Sequence, residues 1–269
     1  MEKQIRFQGR NISYGIEGSG PAVVLLHGFL ESKAIWSYFT VSLKEHFTVI
    51  AVDLLGHGES EVVHQMHDMK LMAEAVKEVL MEEKISSTVV VGHSMGGYVA
   101  LQLADKNESL VNGLVLFHSH GKADSDKAKA NRQGAIKAVK QSRNKFLKKF
   151  FPDLFDPNHV DNYSSEIKEL NEIASQMSTE AIVAALLGMR DRPARLKYLS
   201  STENPVLFIL GKQDTRMQYE KVLIQAVVPA HSEIMLLDDV GHMGMIEARD
   251  KTLKAILHFA LRCYEEQAV

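Results

Sequence analysis

The chain has 269 residues, 45% hydrophobic and 24% charged, with a formal net charge of −3 and a single cysteine, Cys263. This composition supplies enough apolar side chain for a substantial core and excludes a disordered chain. It lacks the clustered positive footprint that a nucleic-acid partner demands, and one cysteine excludes an internal disulfide framework.

Residues 1–10 alternate polar and apolar side chains, without the continuous apolar run of a secretory signal, and no later stretch reaches the roughly 18 apolar residues of a membrane span. A cytoplasmic protein with no membrane span is expected, and Cys263 falls in a helical tail where a buried thiol is expected. In chain order, residues 4–7 and 11–16 read as an antiparallel pair turned at Gly9-Arg10. Apolar runs rich in valine, isoleucine and leucine follow at 22–26, 47–52, 88–91, 111–117, 206–210 and 233–237, separated by segments of helical periodicity. That alternation predicts an α/β fold with a parallel sheet and crossover helices.

The alternation stops for about 85 residues before the strand at 206–210, and that stretch reads as helical, with breaks at Pro152, Pro157 and Pro193. A structureless loop of that length would be unusual, so a helical insertion is expected. Its first part, 122–149, carries ten Lys or Arg residues against two Asp. A solvated outer face explains that composition, ahead of attraction for an anionic substrate or an acidic membrane surface. Further on, Ile182, Leu186 and Met189 share one helical face and must pack on something, as a roof over a site or as core.

The most informative segment is Val89-Val90-Val91-Gly92-His93-Ser94-Met95-Gly96-Gly97, an apolar strand running through G-x-S-x-G into the helical pattern of 98–104. A serine at so sharp a strand-to-helix turn adopts strained backbone angles, and the packing demands minimal side chains two residues before and after it. Ser94 is therefore the candidate nucleophile, and the N–H of Met95, at the helix start, is a donor for a developing oxyanion. A glycine-rich turn with an incidental serine is the competing reading. Because a serine hydroxyl is a weak nucleophile, the reading requires a base, an orienting acid and a second donor elsewhere. The loop His27-Gly28-Phe29 after the strand at 22–26 offers the main-chain N–H of Phe29, with His27 expected to anchor the loop by hydrogen bonds. His242 follows the last strand and suits the base. Asp214 follows the strand at 206–210 and suits the acid, ahead of Asp238 and Asp239, which lie too near His242 in sequence to reach its far nitrogen.

Taken in order, His27-Gly28-Phe29, Asp53-Leu54-Leu55-Gly56-His57-Gly58-Glu59-Ser60, Gly92 to Gly97, Gly211-Lys212-Gln213-Asp214 and Gly241-His242 resemble the α/β-hydrolase fold family, over nearly all of the chain outside the insertion. The resemblance implies an eight-stranded, mostly parallel sheet flanked by helices, with 1–117 and 200–269 as core domain and 118–199 as an inserted helical cap. It also implies that Asp53 shapes the turn after a strand, with His57 and Ser60 bonded locally. Substrate contacts are expected from Phe29, His118, Ile182, Leu186 and Met189. His118-Ser119-His120 is too small a set of ligands to indicate a metal. His64 and His67 read as surface, and Trp36 with Ile35 and Phe39 as packing. No cofactor and no metal are implied. The expected function is hydrolysis of a small to medium carboxylic ester or related acyl compound through an acyl-enzyme. Family members with the same triad also act as carbon-carbon hydrolases, lyases or perhydrolases, and a ligand receptor on a hydrolase scaffold is the non-catalytic alternative. Substrate identity and oligomeric state stay open, a homodimer included.

Overall fold

Eight strands, β1 (Glu2–Phe7), β2 (Arg10–Glu17), β3 (Ala22–Leu26), β4 (Thr48–Val52), β5 (Thr88–His93), β6 (Val111–Phe117), β7 (Val206–Gly211) and β8 (Ser232–Leu237), form one sheet in the order β1-β2-β4-β3-β5-β6-β7-β8. The computed structural model describes residues 1–265. β1 pairs antiparallel with β2 and β2 with β4, and every other pairing is parallel. β3, β5, β6 and β7 are buried along their whole length. Near-continuous apolar runs are what a strand covered on both faces requires, which is why these four were readable as strands without any alternation. The turn between β1 and β2 falls at Gln8-Gly9, one residue earlier than expected, since Phe7 pairs with Arg10. Gln8 and Gly9 have φ of 49° and 80°, the left-handed geometry that matches a two-residue hairpin to the strand twist.

Among the described residues there are ten α-helices. Three precede the insertion: α1 (Ser37–Leu43), α2 (Met69–Glu82) and α3 (Met95–Lys106). Between β6 and β7 come α4 (Asp126–Phe150), α5 (Ser164–Ser175), α6 (Thr179–Arg190) and α7 (Leu196–Ser201). α8 (Tyr219–Ala226) joins β7 to β8, and α9 (Gly244–Glu247) and α10 (Arg249–Glu265) follow. α3 and α10 both contact β5 and β6. Cys263 is buried on α10, close enough to β6 that a Cβ on Gly113 would lie 2.4 Å from its sulfur. Among the described residues no helix is long and apolar enough to cross a membrane.

The region between β6 and β7 is helical, with Ser125 and Ser178 capping the starts of α4 and α6 through their side chains. Pro152 opens a short 3₁₀ turn after α4, and Pro193 separates α6 from α7. α4 carries its lysines on exposed positions and buries Ile136, Val139 and Leu147, as a solvated outer face does. Its backbone leaves helical angles at Ser142 (φ −161°, ψ 89°), so the helix is two segments joined by a kink. Ile182, Leu186 and Met189 on α6 are all buried.

Two helical glycines differ sharply in their surroundings. A Cβ on Gly188 of α6 would stand 1.8 Å from the carbonyl oxygen of His67, where the chain also donates from His67 N to Ala184 O at 3.1 Å. Among the described residues nothing lies within 4 Å of a Cβ on Gly134 of α4. Gly188→Ala should therefore lower stability by about 1–3 kcal/mol by forcing α6 off the 67–68 backbone. Gly134→Ala should raise stability by about 0.5–1 kcal/mol through helix propensity alone. Urea unfolding of the two variants checks this, and equal effects would contradict the packing described.

Candidate active site

Ser94 joins β5 to α3 with φ 48° and ψ −110°, a conformation that non-glycine residues seldom adopt. The turn is held from three sides. Ser94 N donates to Phe117 O at 2.9 Å, Gly97 N to Ser94 O at 3.1 Å, and Ser119 Oγ to Ser94 O at 2.8 Å. A Cβ on Gly92 would meet the Gly96 and Gly97 backbone at 2.5 Å, and one on Gly96 would meet Leu26 O at 2.3 Å. Both glycines are thus required by close approach of main chain, as the motif implied.

His242 lies in the loop after β8, and its Nε2 is 2.9 Å from Ser94 Oγ. Its Nδ1 is 2.6 Å from Oδ2 of Asp214, which lies in the loop after β7. The other carboxylate oxygen of Asp214 accepts from Arg216 N and Met217 N, both at 2.8 Å. Burial works to raise the pKa of Asp214, but the adjacent His242 and the contacts from His118 and His242 outweigh it and hold the carboxyl well below the usual carboxylate range. The structure thus brings Ser94, Asp214 and His242 together from three separate loops. His118, Asp214 and His242 also offer one ligand atom each within 4.8 Å of one another. At 2.6 Å, however, His242 Nδ1 and Asp214 Oδ2 share a proton, and His242 Nε2 is turned to the serine.

The His242 loop is fixed by groups that sequence reasoning missed. Glu247 accepts from the N–H groups of Gly241, Met243 and Asp156 at 2.8 to 3.1 Å, and His242 N donates to Leu154 O at 2.6 Å. Burial raises the pKa of Glu247, against those three backbone donors. Glu31 and His93 form the second such device. Glu31 Oε2 accepts from Gly28 N at 2.7 Å and lies 3.1 Å from His93 Nδ1, while His93 Nε2 is 2.9 Å from His242 O. A carbonyl can only accept, so His93 Nε2 donates to it, and the Nδ1 contact with a carboxylate makes the ring an imidazolium. Burial opposes the charge on each partner, yet Glu31 raises the pKa of His93 and His93 lowers that of Glu31. A signal was present in the sequence, an acid three residues beyond Gly28, but nothing there paired it with His93.

His27 anchors its loop as expected, with Nδ1 donating to Gly28 O at 2.7 Å and Nε2 accepting from Leu54 N at 2.9 Å. Asp53 accepts from Lys33 N, Lys33 Nζ and Glu59 N, shaping the following turn. His57 Nδ1 lies 3.1 Å from Leu55 O, and Ser60 Oγ donates to Asp53 O at 2.6 Å. His64 is exposed, but His67 is buried, accepting from Val63 N at 3.2 Å and lying 3.0 Å from Leu55 O. Backbone groups recruited its ring inward, which corrects the surface reading. Trp36 is buried with its ring 5.4 Å from Phe39.

A cavity of about 700 Å³ opens on Ser94 and His242. Phe29, Leu186 and Met189 line it, together with Phe146 and Phe150 from the second segment of α4. Two expected contacts do not line it. Ile182 is fully buried, one turn deeper on α6 than Leu186. His118 stacks on Phe117, accepts from Gly244 N at 3.3 Å, and puts Nδ1 3.3 Å from Asp214 Oδ2, behind the row of catalytic candidates. Its φ of 47° breaks the strand alternation, so His120 lines the cavity instead.

Residues 21–248 match the family model described as alpha/beta hydrolase fold. A thermophilic esterase from Thermogutta terrifontis superposes with a TM-score of 0.91 at 27% identity, covering 98% of this chain and 99% of that one. The pimeloyl-[acyl-carrier protein] methyl ester esterase of Pseudoalteromonas atlantica is 26% identical over 264 residues, 91% of this chain and 96% of that protein. An uncharacterised protein of Mycobacterium tuberculosis is 37% identical over 113 residues, a match that spans 42% of this chain and only 33% of that protein. By the extent of that family match and the agreement of the whole sheet, this chain belongs to the α/β-hydrolase fold family.

Proposed function

We propose that the chain hydrolyses a small to medium carboxylic ester or related acyl compound, with Ser94 as nucleophile, His242 as general base and Asp214 as the acid that orients it. The observation that carries this reading is the hydrogen-bonded row from Asp214 Oδ2 through both nitrogens of His242 to Ser94 Oγ, at 2.6 and 2.9 Å. With Asp214 ionised, the Nδ1–H tautomer of His242 is favoured, leaving Nε2 free to take the serine proton. Ser94 then attacks the acyl carbon. The N–H of Met95, the first residue of α3 and therefore without an intrahelical acceptor, stabilises the oxyanion with the N–H of Phe29. His242 returns the proton to the leaving group, and water, activated by the same ring, releases the acyl group from Ser94. Residues 118–199 act as a cap that walls the cavity, over a core of 1–117 and 200–269. The esterases among its relatives support an ester as the scissile bond. A single cysteine supports a cytoplasmic setting.

Ser94→Ala should abolish turnover of p-nitrophenyl esters and labelling by a fluorophosphonate, and unchanged turnover would overturn the assignment. Asp214→Asn should keep the fold and lower kcat by about 10³- to 10⁴-fold, because the amide favours the wrong imidazole tautomer.

The same scheme needs His118 neutral beside Asp214, and burial, the largest influence on it, lowers its pKa to about 4. An unfolded histidine titrates near 6.5, so between about pH 6.5 and pH 4 the unfolded chain binds this proton and the folded chain does not. Stability from this group is complete above that window and is lost as pH falls through it. Melting temperatures measured across the window should fall less steeply for His118→Gln than for the parent, and an identical slope would contradict a neutral His118.

A further inference from the structure

We propose that His120 and Arg132 form a second recognition site in the cavity, for a carboxylate that the substrate carries away from the bond attacked by Ser94. This rests on the hydrolase reading and narrows its substrate class.

His120 lines the same cavity as Ser94, three residues past the end of β6, with its ring 5.5 Å from that of Tyr98, one turn beyond Ser94 on α3. Its Nδ1 accepts from Lys122 N at 3.1 Å, so the neutral ring carries its proton on Nε2. Burial, then the charge of Arg192, lowers its pKa to about 3, and the ring stays a neutral donor across the working range. Among the described residues nothing accepts from Nε2. Arg132 lines the cavity too, its Nε donating to Asp124 Oδ2 at 2.5 Å and its Nη1 lying 3.4 Å from Met189 Sδ. Its Nη2 has no acceptor among the described residues.

The acid in the cluster is fully used. Asp124 Oδ1 accepts from Arg192 Nη1 at 2.6 Å, and the Arg192 guanidinium is held 3.7 Å over the Tyr98 ring. One carboxylate set against two guanidinium groups leaves net positive charge, and the groups left for a ligand are donors. An anionic group that only accepts hydrogen bonds is the complement of that wall. Ala128, Ala135, Leu186 and Met189 also line the cavity and suit a methylene chain. The fitting substrate is an ester with a short aliphatic chain ending in a carboxylate, such as a monoester of a dicarboxylic acid. Lys145 and Lys149 line the cavity as well, exposed and without an ion-pair partner among the described residues, and they offer the rival location for the anion.

The test compares monomethyl esters of aliphatic dicarboxylic acids with methyl alkanoates of matched length. The ratio of kcat/KM for the two is independent of how much of a variant is folded. The parent should favour the carboxylate-bearing ester by about tenfold or more, mainly through KM, the scale of one charge-assisted hydrogen bond. His120→Phe should bring the ratio close to one. Equal use of both esters by the parent, a ratio preserved in His120→Phe, or a ratio that collapses only in Lys145→Gln/Lys149→Gln overturns the proposal. Calorimetric titration of glutarate and adipate into Ser94→Ala separates the two readings. Binding that is lost in Ser94→Ala/His120→Phe supports the carboxylate site even if no ester is turned over, an outcome that would sink only the hydrolase reading. Turnover of neutral esters with no dicarboxylate binding sinks the carboxylate site alone.

Discussion

The arrangement around Ser94 depends on one buried charge pair, His93 with Glu31. His93 is completely buried and Glu31 is 1% exposed, so each is stable as an ion only because the other is there. Removing one partner of such a pair leaves an uncompensated charge and costs about 3–5 kcal/mol. What the pair provides in return is registration. Glu31 holds the N–H of Gly28, beside Phe29, while His93 precedes Ser94 in the chain and donates to the carbonyl of His242. The Ser94 turn, the Gly28-Phe29 loop and the His242 loop are thereby tied together beneath the row of Ser94, His242 and Asp214. The strained φ of Ser94 persists because those surroundings over-determine it.

Around that pair the electrostatics sort histidines into distinct states. His93 is charged because two acceptors face it. His118 and His120, two residues apart, are both kept neutral by burial, yet one backs Asp214 and the other looks into the cavity. Residue type therefore decided little. The identity of the atom opposite each ring nitrogen decided the rest.

Most of the sheet was legible in the sequence, because completely buried strands need runs of mostly apolar residues and β3, β5, β6 and β7 have them. The G-x-S-x-G turn was legible for a steric reason, since Gly92 and Gly96 have no room for a side chain. His118 does not line the cavity because a positive φ just past the end of β6 turns its ring behind Asp214, which its place after the strand does not reveal. His67 and Ile182 were misjudged because a helical or loop pattern gives the apolar face but not its depth. Glu31 escaped notice because its charge partner, His93, lies 62 residues away in the chain, and Glu247 because its partners are main-chain N–H groups, which no side-chain pattern encodes. The kink at Ser142 likewise has no proline or glycine to announce it.

The bond from His242 N to Leu154 O has a consequence for how this architecture can diversify. A Cβ on Gly241 would sit 2.6 Å from both Leu154 O and Asp156 N, so the stretch just after α4 lies flush against the histidine loop. The inserted helices are consequently not an interchangeable module. A chimera that swapped them wholesale for another relative's would sever the support of the His242 loop, whereas one whose junctions spared 151–156 would exchange the cavity wall and leave the row from Asp214 through His242 to Ser94 intact.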